Sequence, residues 1–242
     1  MSKTSLPYKR ILLKMSGGAL MSDAHRPLDP TVVRRIVAEI KQVQQLGIEI
    51  AIVIGGGNFF RGATLAPIGI DRVTADYMGM MGTLINALAM RDALEKAELS
   101  SRIFSAIAIS GIADEFHQLK ALHHLKRRRI VIFAAGTGNP LVTTDSAASL
   151  RGIEIRADAI LKATNVDGVY SSDPVKNSGA KMYTHLTYDE AIDKNLGVMD
   201  LSAFCQCRDY NVILKVFNVT KPGALLKTVL NQKEGTTVTV SK

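Results

Sequence analysis

Four apolar, strand-like runs in this chain each lead into a short segment rich in Gly, Thr, Asn or Asp. Ile11-Leu12-Leu13 runs into Lys14-Met15-Ser16-Gly17-Gly18, and Ile50 to Ile54 into Gly55-Gly56-Gly57-Asn58. Ile130-Val131-Ile132-Phe133 leads towards Gly136-Thr137-Gly138-Asn139-Pro140, and Ala159-Ile160-Leu161 towards Thr164-Asn165-Val166-Asp167-Gly168. The run from Ile48 to Ile54 is too short and too β-branched for a helix. It suits a strand buried on both faces, as in a parallel sheet. Helical patterns alternate with the runs. Asp29-Pro30 opens one as cap and first-turn proline, Val33, Ile36, Val37, Ile40 and Val43 keep its spacing, and Gly47 ends it.

Further helices are expected at about 72–97, 115–125, 146–150, 187–193, 201–208 and 224–230. Further strands are expected at 103–109, 130–133, 159–161, 212–217 and 236–240. This alternation predicts an α/β fold, a mostly parallel central sheet covered by helices on both faces. No linker or low-complexity stretch divides the 242 residues, so a single domain over 1–242 is expected. In such sheets ligands bind beyond the carboxyl ends of the strands. All four Gly-rich segments lie there, more than one mononucleotide needs, and they suggest two phosphorylated ligands meeting in one cleft.

Composition narrows the classes. A hydrophobic content of 47% with 21% charged residues points to a packed core. No apolar run reaches the ~18 residues a membrane span requires, and no signal-peptide pattern precedes the first strand, so a cytoplasmic protein is expected. Cys205 and Cys207, the only cysteines, are read as reduced thiols on a helix. The net charge of +8 favours anionic partners. Lys126-Arg127-Arg128-Arg129 concentrates it but reads as a solvated face, and nucleic acid is not the expected partner. The Walker A pattern is absent, and neither Gly-rich loop completes G-x-G-x-x-G.

Lys14, at the end of the first strand, can act as a point charge on a transferring phosphoryl group. Three consecutive glycines at 55–57 suit a close backbone approach to a ligand, with Arg61 as a phosphate clamp. Asp76, Gly79, Thr83 and Asn86 form one small and polar helical stripe, which either lines a ligand site or admits another helix. Met78, Met80, Met81 and Met90 fall elsewhere and read as packing. Thr143 and Thr144 at a helix start offer an anion site, where Asp145 makes sense if it orients a lysine or holds Mg²⁺ through water. A phosphate acceptor needs no general base, because its second pKa is ~6. The absence of a His pairing in these loops agrees with transfer between phosphates.

The residues carry a resemblance. Arg10 to Lys14, the segment GGGNFFRG from Gly55, Asp76-Tyr77-Met78-Gly79-Met80, GTGNP…TTDSAA from Gly136, KATNVDGVYSSDP from Lys162 and Val198-Met199-Asp200 together resemble the bacterial uridylate (UMP) kinases, of the amino-acid-kinase fold. The resemblance implies a three-layer αβα sandwich, a homohexamer, inhibition by UTP, and Mg²⁺-dependent transfer of the ATP γ-phosphate to UMP. By its motifs, Lys14, Met15, Ser16, Gly17, Gly57, Arg61, Thr164, Asn165, Tyr170 and Asp173 would bind ATP. Gly56, Asp76 and the stretch Thr137, Gly138, Asn139, Pro140, Leu141, Val142, Thr143 and Thr144 would bind UMP, Asp76 at the ribose. Lys14, Arg61 and Asp145 would be catalytic, with no direct metal ligand assigned. The part up to about residue 150 would serve mainly the acceptor, the rest mainly ATP. The chain departs from the family at Gly18, where Glu is usual, at Ser22 to Pro27, where a Gly-rich stretch is common, and at Leu141-Val142, where an aromatic pair is usual. Two alternatives stay open from the residues: another phosphotransferase of the same fold, and a nucleotide-sensing or RNA-binding regulator.

Overall fold

The computed structural model describes residues 6–22, 26–60 and 69–241. Nine strands form one sheet in the order β4-β3-β5-β2-β1-β6-β10-β11-β9. They are β1 (Arg10–Met15), β2 (Glu49–Ile54), β3 (Ser101–Ser105), β4 (Asp114–Glu115), β5 (Ile130–Ala134), β6 (Ala159–Thr164), β9 (His185–Thr187), β10 (Ile213–Asn218) and β11 (Thr236–Thr239). Every neighbouring pair is parallel except β10 with β11. A two-stranded antiparallel hairpin, β7 (Val169–Tyr170) with β8 (Met182–Tyr183), stands apart.

The pleat sorts the strand residues between two cores. On one face Ile11, Leu13, Ile50, Ile52, Ile54 and Leu161 pack with α1 (Pro30–Gln45), α2 (Arg72–Lys96) and α7 (Ala224–Val229). On the other, Leu12, Ala51, Val53, Ile160 and Leu214 pack with α3 (Gln118–Lys126), α4 (Thr144–Glu154), α5 (Tyr188–Asp193) and α6 (Leu201–Asp209). The result is the expected three-layer sandwich. Burial of side chains such as Ile52, which is fully enclosed, contributes roughly 1.5–3 kcal/mol each before entropy is counted.

Local chemistry sets the helix ends. Asp29 caps α1 by accepting from Thr31 N at 2.7 Å, ahead of Pro30. Gly47, at φ +92°, closes it. The expected strand at 103–109 stops at Ser105: β5 ends beside it, and the chain turns away through Gly111 at φ +78°. The helix expected from Glu115 starts at Gln118, because Glu115 pairs with Ser105 in β4. The helix expected at 146–150 runs over Thr144–Glu154, with Thr143 as its cap. Cys205 and Cys207 lie on α6 as free thiols, and burial pushes the Cys207 thiol up to about 12.

Candidate active site

β1 is the point at which the strand order turns: β2 lies on one side of it and β6 on the other. Such a switch opens a crevice at the carboxyl ends of the strands. Lys14, near the end of β1, and Lys162, near the end of β6, are direct register partners and point to the face covered by α4. Asp145, in the first turn of α4, lies between them. Its Oδ1 is 2.6 Å from Lys14 Nζ and its Oδ2 is 2.7 Å from Lys162 Nζ. The three side chains are each about nine-tenths or more buried at the lysines and slightly less at the aspartate. Asp145 Oδ1, buried, makes no hydrogen bond, its contact with Lys14 lying outside hydrogen-bond geometry. Burial first, then the charge of Lys14, lowers the Lys162 ammonium pKa to about 8. The sequence reading anticipated an aspartate orienting a lysine; it did not single out the second lysine.

Two clefts flank this triad. The first is walled by Gly56, Gly57, Asp76, Gly79, Thr83, Thr137, Leu141, Val142, Thr143 and Thr144, among others. The helical stripe of α2 therefore does line a cleft, but what packs against it is a loop rather than a helix. A Cβ on Gly56 would fall 2.1 Å from the Gly79 carbonyl oxygen, so only glycine fits there. Thr83 donates to Met80 O and accepts from Ala135 N at 2.7 Å. Asn86, fully buried, donates to Gly55 O at 2.8 Å and exchanges bonds with Asn58. The stripe thus holds the glycine loop by hydrogen bonds while leaving space at its upper end.

Asp76 accepts from Arg72 Nε at 3.0 Å and from Leu141 N at 2.9 Å. Leu141 sits at φ +65°, a left-handed conformation unusual for a branched residue. Its N–H bond to Asp76 ties the loop to α2. Arg72 also walls this cleft, and the sequence reading did not single it out. Gly138, Asn139 and Pro140 do not line the cleft. Gly138 packs against Ala106, and Asn139 bonds back to Thr137 in its own loop.

The second cleft is walled by Lys162, Thr164, Tyr170, Asp173 and the segment from Lys194 to Val198, among others. Three of the expected ATP residues meet there. Thr164 has its hydroxyl engaged with Val166 O at 2.7 Å, and Asn165 is exposed at the rim. Ser16 is exposed immediately after the end of β1. The Met15 side chain is wholly buried in the core, so only its backbone faces the crevice. Gly17 is required by packing: a Cβ there would meet Asn58 Oδ1 at 2.2 Å. Arg61, expected as a clamp, lies outside the described residues.

Thr143 was expected to offer a hydroxyl to an anion. Instead its oxygen caps α4, accepting from Asp145 N at 3.0 Å and Ser146 N at 3.2 Å, and its proton goes to Asp200. Thr144 remains on the cleft wall. Among the described residues no cluster of three His, Cys, Asp or Glu could cage a metal ion. The donor set fits Mg²⁺ differently: that ion keeps waters and takes phosphate oxygens with one or two carboxylates, and Asp145 Oδ1 is a buried oxygen with acceptor capacity to spare.

Comparisons with known proteins agree with this geometry. The family model described as the amino acid kinase family matches residues 9–218. A uridylate kinase of Coxiella burnetii is 66% identical over 231 residues, 96% of this chain and 95% of that protein. One from Stutzerimonas stutzeri is 55% identical over 238 residues, covering 98% and 96%. The crystal structure of a UMP kinase from Bacillus anthracis superposes with a TM-score of 0.94 at 42% identity, covering 98% of each chain. With a parallel sheet, a lysine–aspartate–lysine crevice between two clefts and these relatives, the chain belongs to the amino acid kinase family and, within it, to the uridylate kinases.

Proposed function

We propose that this chain transfers the γ-phosphoryl group of ATP to the phosphate of UMP, giving ADP and UDP. The observation that carries the reading is the buried Lys14–Asp145–Lys162 triad at the junction of two clefts. UMP would occupy the cleft walled by Gly56, Asp76 and Thr144, and ATP the cleft walled by Thr164, Tyr170 and Asp173. The segment up to about residue 150 would then serve mainly the acceptor and the remainder mainly the donor.

The chain's own residues supply positioning and charge. Donor and acceptor are both anions, and the obstacle is their repulsion. Lys14 and Lys162 offset it by donating to phosphoryl oxygens as negative charge spreads over them. Asp145 keeps the two ammonium groups side by side, where they would otherwise repel. Backbone N–H groups of the bare Gly56-Gly57 turn can approach phosphate oxygens closely. The attacking UMP oxygen is already anionic near neutral pH, so no side chain need remove a proton. Mg²⁺ would travel on the ATP phosphates, with Asp145 the residue facing its water shell, and would supply further neutralisation of charge. Arg61 is proposed as an additional phosphate clamp.

A homohexamer, regulation by UTP and a cytoplasmic site are also proposed. Val73, Tyr77, Met81 and Ile85 form an exposed apolar stripe at four-residue spacing on α2, which supports self-association. Met81, read as packing, is covered by its own chain for about two-thirds of its surface and exposed for 36%. No helix among the described residues is long and apolar enough to cross a membrane. A coupled assay with UMP, CMP and dCMP tests the reading. UMP is expected to be strongly preferred, and equal rates on all three would remove the uridylate assignment.

A further inference from the structure

The segment between α5 and α6 walls one cleft and is bonded to the turn that walls the other. Leu196, Gly197 and Val198 wall the donor cleft. The Val198 carbonyl accepts from Lys162 Nζ, the same ammonium that meets Asp145. Two residues on, Asp200 caps α6 by accepting from Ala203 N at 2.9 Å. It also takes the first turn of α4: the Thr143 hydroxyl donates to Oδ2, and the Ser146 hydroxyl lies 2.9 Å from Oδ1. Ser202 adds a bond at 2.6 Å.

Thr143 has no other outlet for its proton. Its lone pairs are filled by Asp145 N and Ser146 N, so the hydroxyl can only donate, and it donates to Asp200. Burial works to raise the Asp200 pKa, but hydrogen bonds from Ser202, Thr143, Ala203 N and Ser146 outweigh it and hold it down at about 2. The carboxylate is therefore ionised at any working pH. Thr143 and Thr144 wall the acceptor cleft, and Asp145 lies between them and the lysines. One five-residue stretch thus grips the donor wall at one end and the acceptor turn at the other.

We propose that Asp200 is a positioning residue that ties the acceptor-side turn Thr143–Ser146 to the donor-side wall Leu196–Val198, so that the two substrates bind interdependently. The inference rests on the reading of these clefts as donor and acceptor sites. A nucleotide packed on Leu196 to Val198 fixes the segment from which Asp200 reaches. Through the Asp200 bonds, donor binding then bears on the α4 turn that walls the acceptor cleft, and by linkage acceptor binding bears equally on the donor side.

The test is calorimetric titration of UMP into the full chain, with and without a saturating non-hydrolysable ATP analogue. The analogue is expected to tighten UMP about 10-fold in the native protein and less than about 2-fold in Asp200→Asn, with each nucleotide still binding alone. Ser146→Ala, which leaves the Ala203 N–H and Thr143 bonds to Asp200 intact and removes the Ser146 hydroxyl's bonds to Asp200 and Ser202, is expected to fall between. Circular dichroism establishes that the variants are folded; should Asp200→Asn fail to fold, Ser146→Ala carries the test. A purely structural role would weaken both affinities or the melting temperature and leave their ratio unmoved. No tightening in the native protein, or full tightening retained in the folded variants, overturns the inference. Failure of the native protein to bind either nucleotide overturns the functional reading as well, whereas independent binding of both overturns this inference alone.

Discussion

Lys14 and Lys162, register partners on adjacent parallel strands, bring two buried ammonium groups to a single carboxylate, that of Asp145. Two like charges in a part-buried site would repel strongly, and one aspartate leaves the trio with a net positive charge. That excess is what a crevice for two anionic substrates requires. The arrangement also explains why Asp145, a residue that alone would repel phosphate, stands at the start of α4 beside the crevice.

Removal of either lysine should therefore damage the chemical step more than the fold. Lys14→Ala and Lys162→Ala are each expected to lose at least ~10²-fold in kcat, the scale of deleting one charge stabiliser. Steady-state kinetics with UMP and ATP check this, with melting curves to establish that both variants fold. Near-normal turnover in Lys162→Ala would refute its proposed role.

The Lys162 pKa of about 8, below the usual lysine value, gives a pH signature. Below pH 8 the buried ammonium is charged and costs stability. As pH rises from about 8 to the unfolded value near ~10.4, the folded protein has released a proton that the unfolded chain still holds, so this contribution to unfolding free energy increases. Activity moves the other way, because the neutral amine no longer offsets phosphate charge. The kcat/KM profile should show an alkaline limb near pH 8 that moves upward in Lys162→Arg, whose guanidinium stays charged. An unchanged limb in that variant would assign the titration to another group.

Gly56 tests the loop approach. Its Cβ would sit 2.1 Å from the Gly79 carbonyl, a backbone atom that cannot swing aside. Gly56→Ala must push the glycine loop from α2, and a shift of about 1 Å at a reacting centre costs about 10²-fold. We expect kcat/KM for UMP to fall by at least that amount.

Glu39 provides a purely structural contrast. Buried on α1, it accepts from Gly223 N at 3.2 Å and Leu225 N at 3.1 Å at the start of α7. Glu39→Ala leaves those N–H groups without a partner and should destabilise the fold by about 1–3 kcal/mol. Denaturant titration reads the loss. Turnover of the remaining folded protein should stay close to native, because α7 lies on the face away from the triad.

Much of the architecture was legible in the chain. Asp29-Pro30 and Gly47 marked a helix because caps act within one turn. The β-branched run ending at Ile54 marked a buried strand because burial on both faces demands apolar residues throughout. The same locality explains the errors at 103–109 and 115–125. Ile107 and Ile109 are as apolar as a strand, but no neighbouring strand reaches them, and Glu115 is extended only because Ser105 lies beside it.

The site divided along the same line. The sequence alone determined the bare loops at strand ends, Lys14 beside them and Asp145 at a helix start, since each is a short-range pattern with a local physical meaning. Only the tertiary structure decided that Lys162 faces Lys14, that Asp200 takes the Thr143 proton and that Arg72 walls the same cleft as Asp76 and Thr144. Those relationships join residues up to 148 positions apart or depend on which cleft a helix face meets. They follow from strand register and helix packing, which arise from the summed burial of the whole core and leave no periodic mark near the residues they unite.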